Sequence, residues 1–126
     1  MTVQFVETNL ADATAEWASD VDSEDYEHDT NDDVVVNIPV PGPGMHNIVD
    51  IIAWSYSAAP AAGYVSIEDL STTPPTEVFR LDIVHAGYGW CPVKKRGTTN
   101  AALDITLGDG GQGIVGRLNI IGRRTE

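Results

Sequence analysis

The sequence predicts an all-β fold, a β-sandwich or jelly roll of seven to eight antiparallel strands with an extended acidic N-terminal arm. Three observations carry that expectation. From Val34 onward, short runs rich in Val, Ile, Thr, Tyr and Trp recur between clusters of Gly, Pro, Ser and Asn. Several of these runs alternate apolar and polar residues with the period of two of a half-buried strand. No window after residue 33 shows apolar residues at sustained spacings of three and four, and Gly or Pro recurs too often for long helices. The length, 126 residues, suits one domain of ordinary size and one core.

Taken in order, Val3 to Val6 (VQFV) is a short apolar piece that reads as an isolated strand or a docking segment. Trp17 stands among acids and small residues, where a Trp either packs back on its own domain or anchors an arm into another subunit. Asp20 to Asp33 is a charge run with almost nothing to bury, so residues 1–33 read as an acidic arm and 34–126 as the sandwich domain. Val34 to Ile38 is the first strand of that domain, stopped by Pro39, Pro41, Gly42, Pro43 and Gly44.

His46 to Ser57 is the longest run. Strict alternation sets Ile48, Asp50, Ile52, Trp54 and Tyr56 on one face and Val49, Ile51, Ala53 and Ser55 on the other. Its first half is apolar on both faces, which suits a central strand covered by the second sheet on one side and by another subunit on the other. Tyr64 to Glu68 follows the small-residue turn Ala58 to Gly63. Val78 to Val84 places Phe79, Leu81 and Ile83 inward against Arg80 and Asp82 outward. Gly87 to Val93 carries Tyr88 and Trp90 and leads into a basic turn, Lys94 to Gly97. Ala101, Leu103, Ile105 and Leu107 alternate with polar or small neighbours, and Ile114 to Ile121 is the last strand. That gives seven runs, with Val3 to Val6 as an eighth. An immunoglobulin-like topology is the second choice, but a single Cys removes its inter-sheet bridge.

Charge narrows the function classes. Nineteen Asp and Glu against seven Lys and Arg give a formal net of −12, and eleven of the acids lie in residues 1–33, where there is no Lys or Arg. A negative field of that density repels phosphate backbones and anionic lipid, so neither nucleic acid nor a membrane is expected as a partner, despite the cluster Lys94, Lys95, Arg96. The N-terminus lacks the pattern of a signal peptide and no run is long enough for a membrane span, so a soluble chain made in the cytosol is expected.

Four motifs point to chemistry and fall short of it. Asp20, Asp22 and Glu24 have the spacing that opens an EF-hand loop, but the sixth and twelfth positions hold Asp25 and Asn31 instead of Gly and Glu. Gly111 to Gly116 (GQGIVG) satisfies the dinucleotide fingerprint. That fingerprint needs a following helix and a distant acid, whereas a strand-like segment and few residues follow, so a tight hairpin between the last two strands is expected. His28, His46 and His85 sit in three different elements with no pair at ligand spacing, so neither a metal nor a cofactor is expected. Cys91, between Trp90 and Pro92, reads as a small buried hydrophobe. No catalytic set emerges, and only convergence of Asp50, His85 and Cys91 in one pocket would suggest an enzyme.

Val49 to Ser57 (VDIIAWSYS), Gly63 to Ile67 (GYVSI), Val78 to Ile83 (VFRLDI) and Asn100 to Gly122 (NAALDITLGDGGQGIVGRLNIIG) together resemble the small virion proteins of tailed bacteriophages that decorate or cement the capsid exterior with a jelly-roll domain. The resemblance implies a structural protein and no enzyme, made in the host cytoplasm and placed on the outer capsid surface. It implies a homotrimer bound to the major capsid protein. In that setting the residues expected to make contacts are Val3, Phe5, Val6 and Trp17 of the arm and Lys94, Lys95 and Arg96, with Val3, Phe5 and Val6 adding a strand to an exposed edge. The alternative is a receptor-binding or fibre-tip jelly roll whose Tyr56, Tyr64, Tyr88 and Trp90 stack on host-surface glycans.

Overall fold

The computed structural model describes residues 33–126 throughout and, before them, the backbone of the strands Val6–Glu7 and Ala15–Asp22. Every element in these residues is a strand: β1 (Val6–Glu7), β2 (Ala15–Asp22), β3 (Val34–Ile38), β4 (His46–Tyr56), β5 (Gly63–Asp69), β6 (Thr76–Ile83), β7 (Gly87–Arg96), β8 (Leu103–Leu107) and β9 (Gly116–Thr125). The seven after Val34 are the seven runs expected from the sequence. They form two antiparallel sheets, one of five strands in the order β1-β2-β9-β4-β7 and one of four in the order β3-β8-β5-β6.

The pairing is nested. β5 pairs with β6, β4 with β7, β3 with β8 and β2 with β9, so a folded double ribbon wraps around one core. This is the jelly roll, and it is specific enough to set aside the immunoglobulin-like alternative. Ala15–Asp22, read from sequence as part of the acidic arm, is a strand paired along its whole length with β9, from Ala15 opposite Arg124 to Asp22 opposite Arg117. Its three acids hide the alternation that marks a strand.

The core lies between the sheets. β3 contributes Val34, Val36 and Ile38, β5 contributes Val65 and Ile67, β8 contributes Leu103, Ile105 and Leu107, and β9 contributes Leu118 and Ile120, all buried on the alternating positions. β4 departs from strict alternation. A bulge between Val49 and Ile51 sets Asp50 and Ile51 against the single residue Ile121. Ile52, Trp54 and Tyr56 keep the core face, as expected. Before the bulge that face belongs to Asn47 and Val49, not to Ile48 and Asp50. On β6, Ile83 is buried, Phe79 is half-buried against the core, and Leu81 is exposed at the rim because β6 is an edge strand.

Three further expectations are corrected. The glycine-rich segment is no hairpin, because β8 and β9 belong to different sheets and residues 108–115 form the corner between them. Gly111 and Gly113 take φ of 114° and 74° there, Ile114 N–H closes a turn onto the Gly111 carbonyl at 3.1 Å, and Ile114 packs against the core. Lys94, Lys95 and Arg96 are not a turn but the exposed end of β7, where Lys94 at φ 48° marks the extra residues of an irregular pairing with β4. Cys91, expected to be buried, is half-buried because β7 is an edge strand.

Polar side chains pin the two ends of the sandwich. At one end the fully buried Asn47 donates from Nδ2 to the carbonyls of Pro39 (2.8 Å) and Ala101 (3.2 Å), tying β4 to segments that flank the other sheet. His46 donates from Nδ1 to the Gly97 carbonyl at 2.8 Å, and its Nε2 accepts from the Thr99 hydroxyl at 3.2 Å. The buried Asp69 accepts from Ser71 N–H, Thr98 N–H and the Thr98 hydroxyl at 2.9, 2.9 and 2.8 Å. Burial alone would raise its carboxyl, but the hydrogen bonds from Ser71 and Thr98 outweigh that and hold it down at about 2. At the other end Tyr56 donates to the Gly108 carbonyl at 2.6 Å, and its burial pushes the phenol up to about 12.

Because the Asp69 carboxyl sits below its ordinary value of 3.8 in the folded state, its stabilisation is present above pH ~4 and is lost as pH falls toward 2. Asp69→Asn is expected to cost about 2 kcal/mol at pH 7 in urea denaturation, a difference from the parent that shrinks on acidification across that window. Tyr56→Phe, which leaves the Gly108 carbonyl unpaired in the interior, is expected to cost about 1–3 kcal/mol in the same assay at neutral pH.

Candidate functional site

The two sheets differ on their outer faces. On the four-stranded sheet most outward positions carry charged or polar side chains, several of them paired with one another, with Val35 an exposed apolar exception. Asn37 donates to Asp104 at 2.7 Å, Arg80 pairs with Asp82 at 3.2 Å and Glu77 at 3.7 Å, and the Arg80 guanidinium lies 4.0 Å from the centre of the Tyr64 ring. Such a face gains little from a partner, since its charges are already paired and hydrated.

The five-stranded sheet presents a different surface. Register sets out its three central columns row by row. Pro92, Ile51 and Ile121 form one row across β7, β4 and β9; Trp90, Ala53 and Asn119 form the next; Tyr88, Ser55 and Arg117 form the third. Rows repeat every ~6.7 Å along the strands and columns every ~4.8 Å across them. These nine positions hold one basic residue and no acid, in a chain of formal net −12. Tyr88 is 86% exposed, Trp90 64% and Ile121 49%. The bulge is what turns Ile51, Ala53 and Ser55 to this side, and the Arg123 Nε–Asp50 Oδ2 ion pair at 3.3 Å lies beside it.

Relief on this face comes from residue size. Ala53, Ser55 and Ser57 are small and follow β4, while Trp90 and Tyr88 stand on one side and Asn119 and Arg117 on the other. The result is a shallow trough. It opens at its Ser57 end into a recess of ≈ 250 Å³ lined by Ser55, Tyr56, Ser57, Val115 and Arg117. A second recess, also ≈ 250 Å³, lies where β6 turns into β7, with Trp54, Asp82, His85 and Tyr88 among its walls.

The residues singled out from sequence are scattered. Val6 lies in β1, in register with Glu16, and Trp17 lies in β2, opposite Gly122. Val3, Phe5 and His28 fall outside the described residues. Lys94, Lys95 and Arg96 sit at the far end of β7, where Arg96 donates to the Glu126 carbonyl at 3.2 Å. Asp50, His85 and Cys91 do not meet. Asp50 is at the bulge with Arg123, Cys91 is opposite Ile52, and His85 lines the recess at the β6–β7 turn. Among the described residues no three His, Cys, Asp or Glu side chains gather as a metal site. Of the four aromatics proposed to stack on sugars, Tyr56 is buried and Tyr64 lies under Arg80, which leaves Tyr88 and Trp90. The alignment of Trp90 and Pro92 with Ile51 and Ile121 follows from register and has no counterpart in the linear sequence.

No protein-family model matches the chain, and no curated protein matches it in sequence. Solved structures that overlie it include one reported as CBM4 structure and function, 11% identical over 90% of this chain and 84% of that one, with a TM-score of 0.42. Another is a Family 16 Carbohydrate Binding Module-2, 13% identical over 98% and 85%, TM-score 0.42. A third comes from Bacillus endospore appendages, described as a family of disulfide-linked pili, 12% identical over 99% and 90%, TM-score 0.42. No ligand or partner of this chain follows from them; the jelly roll stands on its own strand order.

The geometry of β7 depends on Gly89, where an added Cβ would lie 2.7 Å from Cζ2 of Trp54. Gly89→Ala is expected to cost about 1–3 kcal/mol by overpacking, read as a lowered midpoint in chemical denaturation, with a change in Trp fluorescence as the Trp54 ring shifts.

Proposed function

We propose that this protein is a non-catalytic structural component that decorates a phage capsid, of the kind its sequence resembles, by laying the outer face of its five-stranded sheet against the shell. The observation that carries the reading is the contrast between the two outer faces. One is largely charged and self-paired, and the other is aromatic and aliphatic over its three central strands, without an acid at those nine positions. Depletion of charge with enrichment of Trp and Tyr is the composition of the centre of a protein contact. The three central strands, β7, β4 and β9, at ~4.8 Å spacing and about ten residues at ~3.3 Å rise give a face of about 480 Å², more than half of the ~800 Å² that one partner contributes to an interface of standard size. The formal net charge of −12 is in keeping with the reading, because a negative protein does not adsorb nucleic acid.

Ile121→Lys is expected to leave the melting temperature within a few degrees of the parent, since the side chain is exposed, and to abolish co-sedimentation with purified shells. Undiminished co-sedimentation of that variant, or a copy number per purified particle far below that of the shell protein by quantitative mass spectrometry, counts against the proposal.

A second reading is favoured by the trough itself. An aromatic wall of Trp90 and Tyr88 facing Asn119 and Arg117 across a floor of Ala53 and Ser55 suits a linear saccharide, stacked on rings and hydrogen-bonded from the opposite wall. A glycan array separates the two. Binding lost on Ser55→Trp, which fills the trough, supports the saccharide; an empty array removes it.

A further inference from the structure

We infer that the edge of β7 pairs with the same edge of a second copy, antiparallel about a two-fold axis through Gly89. Among the described residues β7 lies at the margin of the five-stranded sheet and pairs only with β4, so its other edge presents backbone donors and acceptors with no described strand beside them. Sheet margins in soluble proteins are commonly guarded by short length, proline, charge or a bulge. β3 has five residues, Val34–Ile38, and runs into Pro39 and Pro41. β6 carries Glu77, Arg80 and Asp82 and an irregular register beside Glu68. The second half of β7 is guarded as well, by Pro92, the irregular pairing beyond it, and Lys94, Lys95 and Arg96. Its first half is not. Gly87–Cys91 holds no charge and no proline, and its register with β4 is unbroken from Gly87 opposite Tyr56 to Cys91 opposite Ile52.

This stretch is also self-complementary. An axis through Gly89 sets Tyr88 of one copy opposite Trp90 of the other, twice, on the outer face where both side chains are exposed. Cross-strand aromatic pairs at such positions hold antiparallel strands in register. An axis through Tyr88 or Trp90 would pair only one aromatic type with itself and would bring Pro92 or the β6–β7 turn into the ladder. Gly89 itself brings no side chain to the axis, and the Trp54 ring already occupies the space on its inner side.

Charge permits the approach. β2, which carries Glu16, Asp20 and Asp22, lies three strand spacings from β7, or ~14 Å, beyond the Debye length of ~8 Å at physiological salt. Joined through β7, the two copies keep their acid-rich margins outermost. The product is one continuous sheet of ten strands whose two outer faces adjoin. It is independent of the ligand proposed for that face, and it replaces the threefold expected from the resemblance, since an edge that pairs with itself is used up by two copies.

The test uses the full chain in light scattering coupled to size exclusion over a range of concentrations. A dimer is expected, with Trp90→Lys raising the dissociation constant at least about tenfold at an unchanged far-ultraviolet spectrum. The register is tested with Tyr88→Cys and Trp90→Cys, each in a Cys91→Ser background and mixed under oxidising conditions. Cross-linking of the mixture well above either variant alone is expected. A monomer or trimer at every concentration, a dimer indifferent to Trp90→Lys, or cross-linking no greater in the mixture than in the separate variants overturns the inference.

Discussion

The single residue inserted at Asp50 decides what each face of β4 does, and the rest of the molecule depends on that strand. β4 is the one strand that pairs with both β7 and β9, so its phase sets theirs. With the bulge, Val49 and Ile52 both reach the core although an odd number of steps separates them. Without it, one half of the strand would turn its apolar residues outward and its polar ones in. Asp50 is held beside the insertion by Arg123, a partly exposed pair whose role is geometric more than energetic.

From that phase follows the division of labour between the sheets. The four-stranded sheet buries Val, Ile and Leu rows on one side and carries mostly charged and polar side chains on the other. The five-stranded sheet buries an equivalent row and leaves Ile51, Trp90 and Ile121 on the other side with nothing from the described chain above them. An apolar area of this kind is the feature of the described residues best suited to an interaction surface. Side chains at the ends of the sandwich, Asn47 and Asp69 at one and Tyr56 at the other, tie its strands to the segments that cross between the sheets.

Much of this was legible in the linear order of residues. Period-two runs bounded by Gly and Pro mark all seven strands from Val34, and the alternation of Ala101, Leu103, Ile105 and Leu107 with polar or small neighbours matches their burial. The double-sided apolar character of β4 is matched by Ile51 and Ala53 on its outer face and Ile52 and Trp54 on its core face. What stayed hidden depends on contacts distant in sequence. A bulge at Asp50 leaves no local mark, since aspartate is tolerated on an outer face of either phase. The GQGIVG segment looks like a hairpin because hairpins and inter-sheet corners use the same glycine chemistry; only the assignment of β8 and β9 to separate sheets distinguishes them. Ala15–Asp22 is silent for a different reason, as its acids read as solvation while its backbone pairs with β9.

The nested pairing of strands also orders the way the chain can assemble. Residues 70–75 separate β5 from β6, residues 57–86 separate β4 from β7, residues 39–102 separate β3 from β8, and residues 23–115 separate β2 from β9. Each pair encloses the one before it, so the entropy of closing a pair is small only once the inner pair has formed. The ribbon therefore zips outward from the β5–β6 connection, and the contact that completes the five-stranded sheet is the last to be made. A topology so dominated by distant partners is of the kind that folds slowly for its size, and β9 has an open edge until β2 pairs with it.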